Sequence, residues 1–141
     1  MRKIIILLLL LLVSDLTQAS IFGKNKVRYK KFNWKVLQTE NFEIYFEPQI
    51  EDLAKITANF AETAYEYLSS FFEYHLYKKI PIILFKSVYD FQQTNIILDI
   101  IEEGIGGFAE IYKYRIVLPF SGSFKELKET LTHELCHIFC F

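Results

Sequence analysis

Polar and apolar positions change period several times along the chain, and each change marks an element. Ile4 to Val13 is an unbroken apolar run behind the basic start Arg2-Lys3, followed by polar Ser14, Asp15, Thr17 and Gln18 and small Ala19 and Ser20. This is the three-part layout of a secretory signal peptide, with cleavage expected after Ala19, so residues 1–19 are set apart from the fold. The run is shorter than the roughly 20 residues that span a bilayer, and membrane contact is expected only through this segment. Residues 20–33, with Lys24, Lys26, Arg28, Lys30 and Lys31, read as an exposed entry segment.

Strict alternation follows. Phe42, Ile44 and Phe46 alternate with Glu43, Tyr45 and Glu47, which predicts a strand paired with Lys35–Thr39 across a turn at Glu40-Asn41. From Glu51 to about Leu76 the period becomes helical, with Leu53, Ile56, Phe60, Ala64, Leu68 and Phe71 as the expected core stripe. Ile80 to Phe85 is wholly apolar, as suits a central strand covered on both faces. Ser87 begins a helix predicted to run through about Ile101, with Asp90 as capping-box partner. Gly104, Gly106 and Gly107 break the chain. Phe108–Tyr112 and Arg115–Phe120 read as two more strands, and Ser123 with Glu126 caps a last helix. The order β-β-α-β-α-β-β-α is an α+β arrangement, one small mixed sheet with packed helices.

Composition narrows the partners. Apolar residues make up 52% and aromatics 17% of 141 residues, enough for one domain with a modest core. The net charge is -1 with acids and bases interspersed, and no basic stripe points to nucleic acid. Export places Cys136 and Cys140 in an oxidising compartment, yet four residues apart on one helix they close a disulfide poorly and read as small apolar residues near the core.

The candidate chemistry lies in Leu131–Phe141, where His133-Glu134-Leu135-Cys136-His137 fits the pattern H-E-x-x-H. At about 100° per residue, Phe124, Leu127, Leu131, Leu135 and Ile138 fall on one side of the last helix, and His133 and His137 project from the other, roughly 40° apart. Two imidazoles one turn apart can hold one zinc ion, which prefers neutral nitrogen ligands and, in catalytic sites, keeps a position for water whose pKa falls to roughly 7. Glu134, roughly 60° from His137, is placed as general base and not as ligand. The plain alternative is two surface histidines beside a solvated glutamate.

A third ligand is not evident. Cys140 faces the same way as the histidines but lies about 10 Å along the axis from His133. Cys136 reads as a neighbour of the site, and His75 as a surface histidine at a helix end. Cys140 also stands where the extended metzincin motif needs glycine. The remaining arrangement takes a carboxylate from a later helix, expected beyond Phe141.

With these residues in view, Val27 to Phe141 resembles the gluzincin-like, peptidase MA-type domain found at the N-terminus of exported bacterial proteins, some with TolB-like β-propeller repeats downstream. The stretches that carry it are FNWKVLQTENFEIYF, DFQQTNIILDIIEEGIGGFAEIYKYRIVLPFSGS and LTHELCHIF. The resemblance implies a zincin-like fold with the motif helix beneath a small sheet and a cleft under an edge strand that pairs with peptide substrate. Phe108 to Tyr112, with Ala109, Glu110 and Ile111 as contacts, or the partner strand Arg115–Leu118, is expected in that part. An ordinary hairpin with Glu110 solvated and Tyr112 packed is the plain alternative. The expected function is that of an exported zinc metallopeptidase of the periplasm, envelope or extracellular space. His133 and His137 are its ligands, Glu134 its catalytic base, and residues 20–141 an incomplete N-terminal part that is itself inactive. A non-catalytic zincin-like envelope domain serving binding or assembly is the alternative, and a metal-free α+β domain a third.

Overall fold

The computed structural model describes residues 30–93 and 106–141, so the signal segment and the far part of the expected 87–101 helix lie outside the described residues. Five strands, β1 (Lys35–Gln38), β2 (Phe42–Phe46), β3 (Ile80–Phe85), β4 (Phe108–Glu110) and β5 (Arg115–Pro119), form one sheet in the order β1-β2-β3-β5-β4. The outer pairs β1-β2 and β4-β5 are antiparallel and the inner pairs β2-β3 and β3-β5 parallel, so the sheet is mixed. The helices are α1 (Glu51–Phe72), α2 (Val88–Gln92) and α3 (Phe124–Phe139), and the predicted element order is the observed one.

The apolar run of β3 has the predicted cause. Ile80, Ile82 and Leu84 join the core under α1 and α3, whereas Ile83 and Phe85 turn to the opposite face with Phe91 and Val117. That second face is closed by Phe32 and Trp34, whose rings meet Phe85 edge-on at 5.5 and 5.4 Å.

Residues 30–33, the described end of the entry segment, are therefore anchored and not simply exposed. Lys30 pairs with Glu47 and, at 3.2 Å, with Asp90, two carboxylates whose side chains are only 8% and 5% exposed. Burial works to lower the lysine's pKa, but hydrogen bonds to Glu47 and Asp90 outweigh it and hold the ammonium above the usual lysine range. The stability this contributes is present below the unfolded lysine pKa and is lost as pH rises through the folded one. Among the described residues, Lys30→Met leaves the two buried acids with Lys86, 3.9 Å from Asp90, as the remaining paired cation. It is expected to cost about 2–3 kcal/mol in urea unfolding, below the full cost of breaking a fully buried pair because Lys30 keeps partial contact with water. A loss under about 0.5 kcal/mol, ordinary for surface sites, would remove the anchor.

α1 keeps part of its predicted face, with Leu53, Ala64 and Leu68 buried, but differs at Ile56 and Phe71 and in length. Its buried side is Leu53, Ala54, Thr57, Ala58, Ala61, Ala64, Tyr65, Leu68 and Ser69, while Ile56 is 36% and Phe71 68% exposed. Small residues bring the helix close to the sheet and α3, and the bulkier side chains of the expected stripe are displaced to its flanks. The helix ends at Phe72 and not near Leu76. Glu73 adopts the left-handed conformation, and the Leu76 N–H donates to Tyr65 Oη (3.0 Å) instead of a helical carbonyl.

At the other end of the sheet, the expected strand Phe108–Tyr112 stops at Glu110, and Ile111–Lys113 form a 3-10 turn. Tyr112 is fully exposed and not packed. Arg115–Leu118 belongs to β5, bonded on both sides by β3 and β4, so that strand cannot receive a peptide. β4 is the edge. Its approach to α3 requires glycine: a Cβ on Gly107 would lie 2.7 Å from Leu118 Cδ2, 2.9 Å from Thr130 Cγ2 and 3.0 Å from the Val117 carbonyl. Gly107→Ala is expected to destabilise by about 1–3 kcal/mol in thermal or urea unfolding, through the cost of overpacking; an unchanged midpoint would show that the strand yields freely.

Candidate metal centre

α3 begins where the sequence places it. Ser123 Oγ accepts from the Glu126 N–H at 3.3 Å, but the Glu126 carboxylate accepts from Ser121 Oγ (2.6 Å), so only half of the capping box forms. Leu127, Leu131, Leu135 and Ile138 are buried as the helical period requires. Phe124 is the exception at 48% exposed, its ring tilted against Phe120, and Phe139 takes its place in the core against Phe72.

Orienting that apolar face inward turns His133 and His137 to solvent. Their rings are perpendicular with centroids 4.7 Å apart, and the two Nε2 atoms lie 3.1 Å from each other. Without an ion this is a hydrogen bond in which one Nε2–H donates and the other Nε2 accepts. It is also a ligand spacing. Nitrogens 3.1 Å apart, each about 2.05 Å from one zinc, subtend about 98° there, near the tetrahedral about 109°. The pair fits two neighbouring positions of one ion. Among the described residues no group of three His, Cys, Asp or Glu side chains converges, so a third ligand is not found among them.

Glu134 behaves differently from the histidines. It is only 8% exposed, and no described residue hydrogen-bonds its carboxylate. One turn earlier on the same flank, Thr130 packs on Gly106 and Gly107 at the start of β4. The helix therefore presents two exposed imidazoles and, beside them, a largely buried glutamate. The helical angle places Glu134 on a flank of α3, and its burial is set by packing that periodicity does not carry.

Of the three strand residues expected to touch a substrate, Ala109 and Glu110 lie on β4 and Ile111 begins the turn after it. Glu110 is not solvated. Its carboxylate accepts from Arg115 Nε and from Lys113 Nζ (2.9 Å), and these bonds outweigh burial and hold its pKa below the usual carboxylate range. What β4 offers on its outer side is main chain, with no described strand paired there. A surface cavity of about 550 Å³ touches His133 and Cys136 between α1 and α3, but neither Glu134 nor His137 lines it. His75 is exposed beyond the end of α1, apart from the pair.

Fold and site together define an α+β domain with a mixed five-stranded sheet and a histidine pair on its last helix. No protein-family model, curated protein or solved structure matches the chain.

Proposed function

We propose that the chain carries the motif helix of an exported, zincin-like zinc metallopeptidase domain. The observation that carries this reading is the 3.1 Å approach of the His133 and His137 Nε2 atoms beside the largely buried Glu134. His133 and His137 would hold the zinc, with a third ligand from outside the described residues. Zinc, when bound, supplies a Lewis acid and a lowered water pKa. Glu134 takes the proton from the attacking water and passes it to the leaving amine, a role favoured by a carboxylate with no competing hydrogen bond among the described residues. The free side of β4 suits an extended peptide added as a further strand, with Ala109 and Glu110 contributing main-chain groups while Arg115 and Lys113 keep the Glu110 side chain in place. The signal-like start supports action in the periplasm, envelope or outside the cell, on peptide or protein, and the resemblance allows a β-propeller downstream.

Chelation tests the reading. Peptide hydrolysis by the full-length protein is expected to disappear with a zinc chelator and to return on adding zinc. Hydrolysis indifferent to chelation would overturn it.

A further inference from the structure

The edge strand and the motif helix end beside one another, around Tyr114. Behind β4 the chain turns through Ile111–Lys113, and Tyr114 closes the turn in the left-handed conformation (φ 54°), rare for a bulky side chain. Two neighbours fix its ring: it stacks on Tyr77 with centroids 6.4 Å apart, and Lys78 Nζ lies 4.0 Å from its centre. Its hydroxyl oxygen is shielded from water and has no hydrogen-bond partner among the described residues. Both features are costs retained at one residue, and such costs gather at ligand sites. Tyr114 walls a cavity of about 160 Å³ whose other sides include Tyr74, Tyr77, Ile111, Phe139 and Phe141. No side chain lining it is charged. Phe139 is buried, whereas Tyr74, Tyr77 and Phe141 are exposed, so the cavity has a fixed floor and a rim open to solvent.

We infer that this cavity seats one uncharged aromatic ring, carried as a phenylalanine-like side chain of a peptide extended along β4. The inference rests on β4 receiving peptide, as proposed above, but not on the zinc. Size selects the ring. An apolar cavity of about 150 Å³ takes up benzene, so this one fits a single six-membered ring and little more. Chemistry excludes charge, because a carboxylate or ammonium would lose its hydration against side chains that offer no opposite charge. Position selects the carrier. Ile111 directly follows the edge strand and Phe139 ends the helix that holds the histidines, so a chain paired with the free side of β4 leaves the strand beside this cavity. The Tyr114 wall is in place before binding, held by its turn and by Tyr77 and Lys78, so little ordering opposes the ring. Burying a phenylalanine side chain there is worth about tenfold or more in affinity over alanine.

The test is peptide binding by the full-length protein with a zinc chelator present, so that the result is independent of the metal. Fluorescein-labelled octapeptides of alanine and serine carry one phenylalanine at each position in turn, and anisotropy compares them with the parent lacking it. Phenylalanine at one position is expected to raise affinity about tenfold or more, and lysine or aspartate at that position is not. In Tyr77→Ala, at an exposed position that does not threaten the fold, the advantage is expected to fall below about threefold. Ile111→Trp, which fills the cavity, should do the same. No advantage at any position, an equal gain from lysine or aspartate, or an advantage unchanged in either variant would overturn the site. Toluene supplies the same ring without a chain. Its uptake by wild type and not by Ile111→Trp, with no peptide position gaining, would make the ligand a free small aromatic and overturn the peptide as carrier. Parent peptide bound equally well with and without phenylalanine would sink this inference and leave β4 as a peptide edge, whereas hydrolysis indifferent to chelation bears on the metal alone.

Discussion

Glu134→Gln is expected to leave zinc bound to the full-length protein in stoichiometric amount while lowering peptide turnover about 1000-fold, or about 4 kcal/mol of barrier, within the range of general acid–base contributions. Gln fills the same volume, so a side chain that is 8% exposed is replaced without a cavity. What is lost is only the capacity to accept and return a proton. The neutral amide also removes no proposed ligand, since the two imidazoles meet without it. Zinc content by elemental analysis and turnover of a peptide substrate are read on the same sample. Turnover retained would sink the role of the base. Zinc lost together with turnover would make Glu134 a ligand or a structural support.

His137→Ala acts on the other half of the site. With about 12 kcal/mol as a typical binding free energy for zinc and three protein ligands sharing it, loss of one is expected to weaken affinity by about 4 kcal/mol, roughly 1000-fold. Turnover should disappear with the metal. The fold is not at risk, because His137 is exposed and alanine is the better helix former. Its only described hydrogen-bond partner is His133. In a zinc competition titration with thermal unfolding alongside, the expected pattern is an apo midpoint close to wild type and a strongly reduced zinc affinity. Wild-type zinc affinity in the variant would mean that the metal is held elsewhere.

The helix and strand order was legible because each period change is abrupt. The alternation of Phe42–Phe46, the apolar block Ile80–Phe85 and the Ser123 cap each coincide with an observed element. Less legible was which face of α1 is buried. Hydrophobicity favours Ile56 and Phe71, but closeness favours Ala54, Ala58 and Ala61, and packing against both sheet and α3 decides for the small residues. The length of α1 was likewise set from a distance, by the Tyr65 hydroxyl capturing the Leu76 N–H.

At the site, local and distant information separate in the same way. The histidine pair is a property of one helix, so spacing alone brings the two imidazoles together. The edge position of β4 and the approach of Gly107 to Thr130 arise from pairing and packing between segments far apart in the chain, which periodicity does not carry. Lys30 is a similar case. Within a lysine-rich stretch it has no distinguishing context, yet it is the residue that reaches the two buried acids.

His133 and His137 are expected to share one zinc ion. Anomalous diffraction at the zinc edge from crystals of the zinc-loaded full-length protein measures this directly. A single strong peak is expected about 2.0–2.1 Å from both Nε2 atoms. A peak bonded to neither imidazole, or none at the pair, would contradict it.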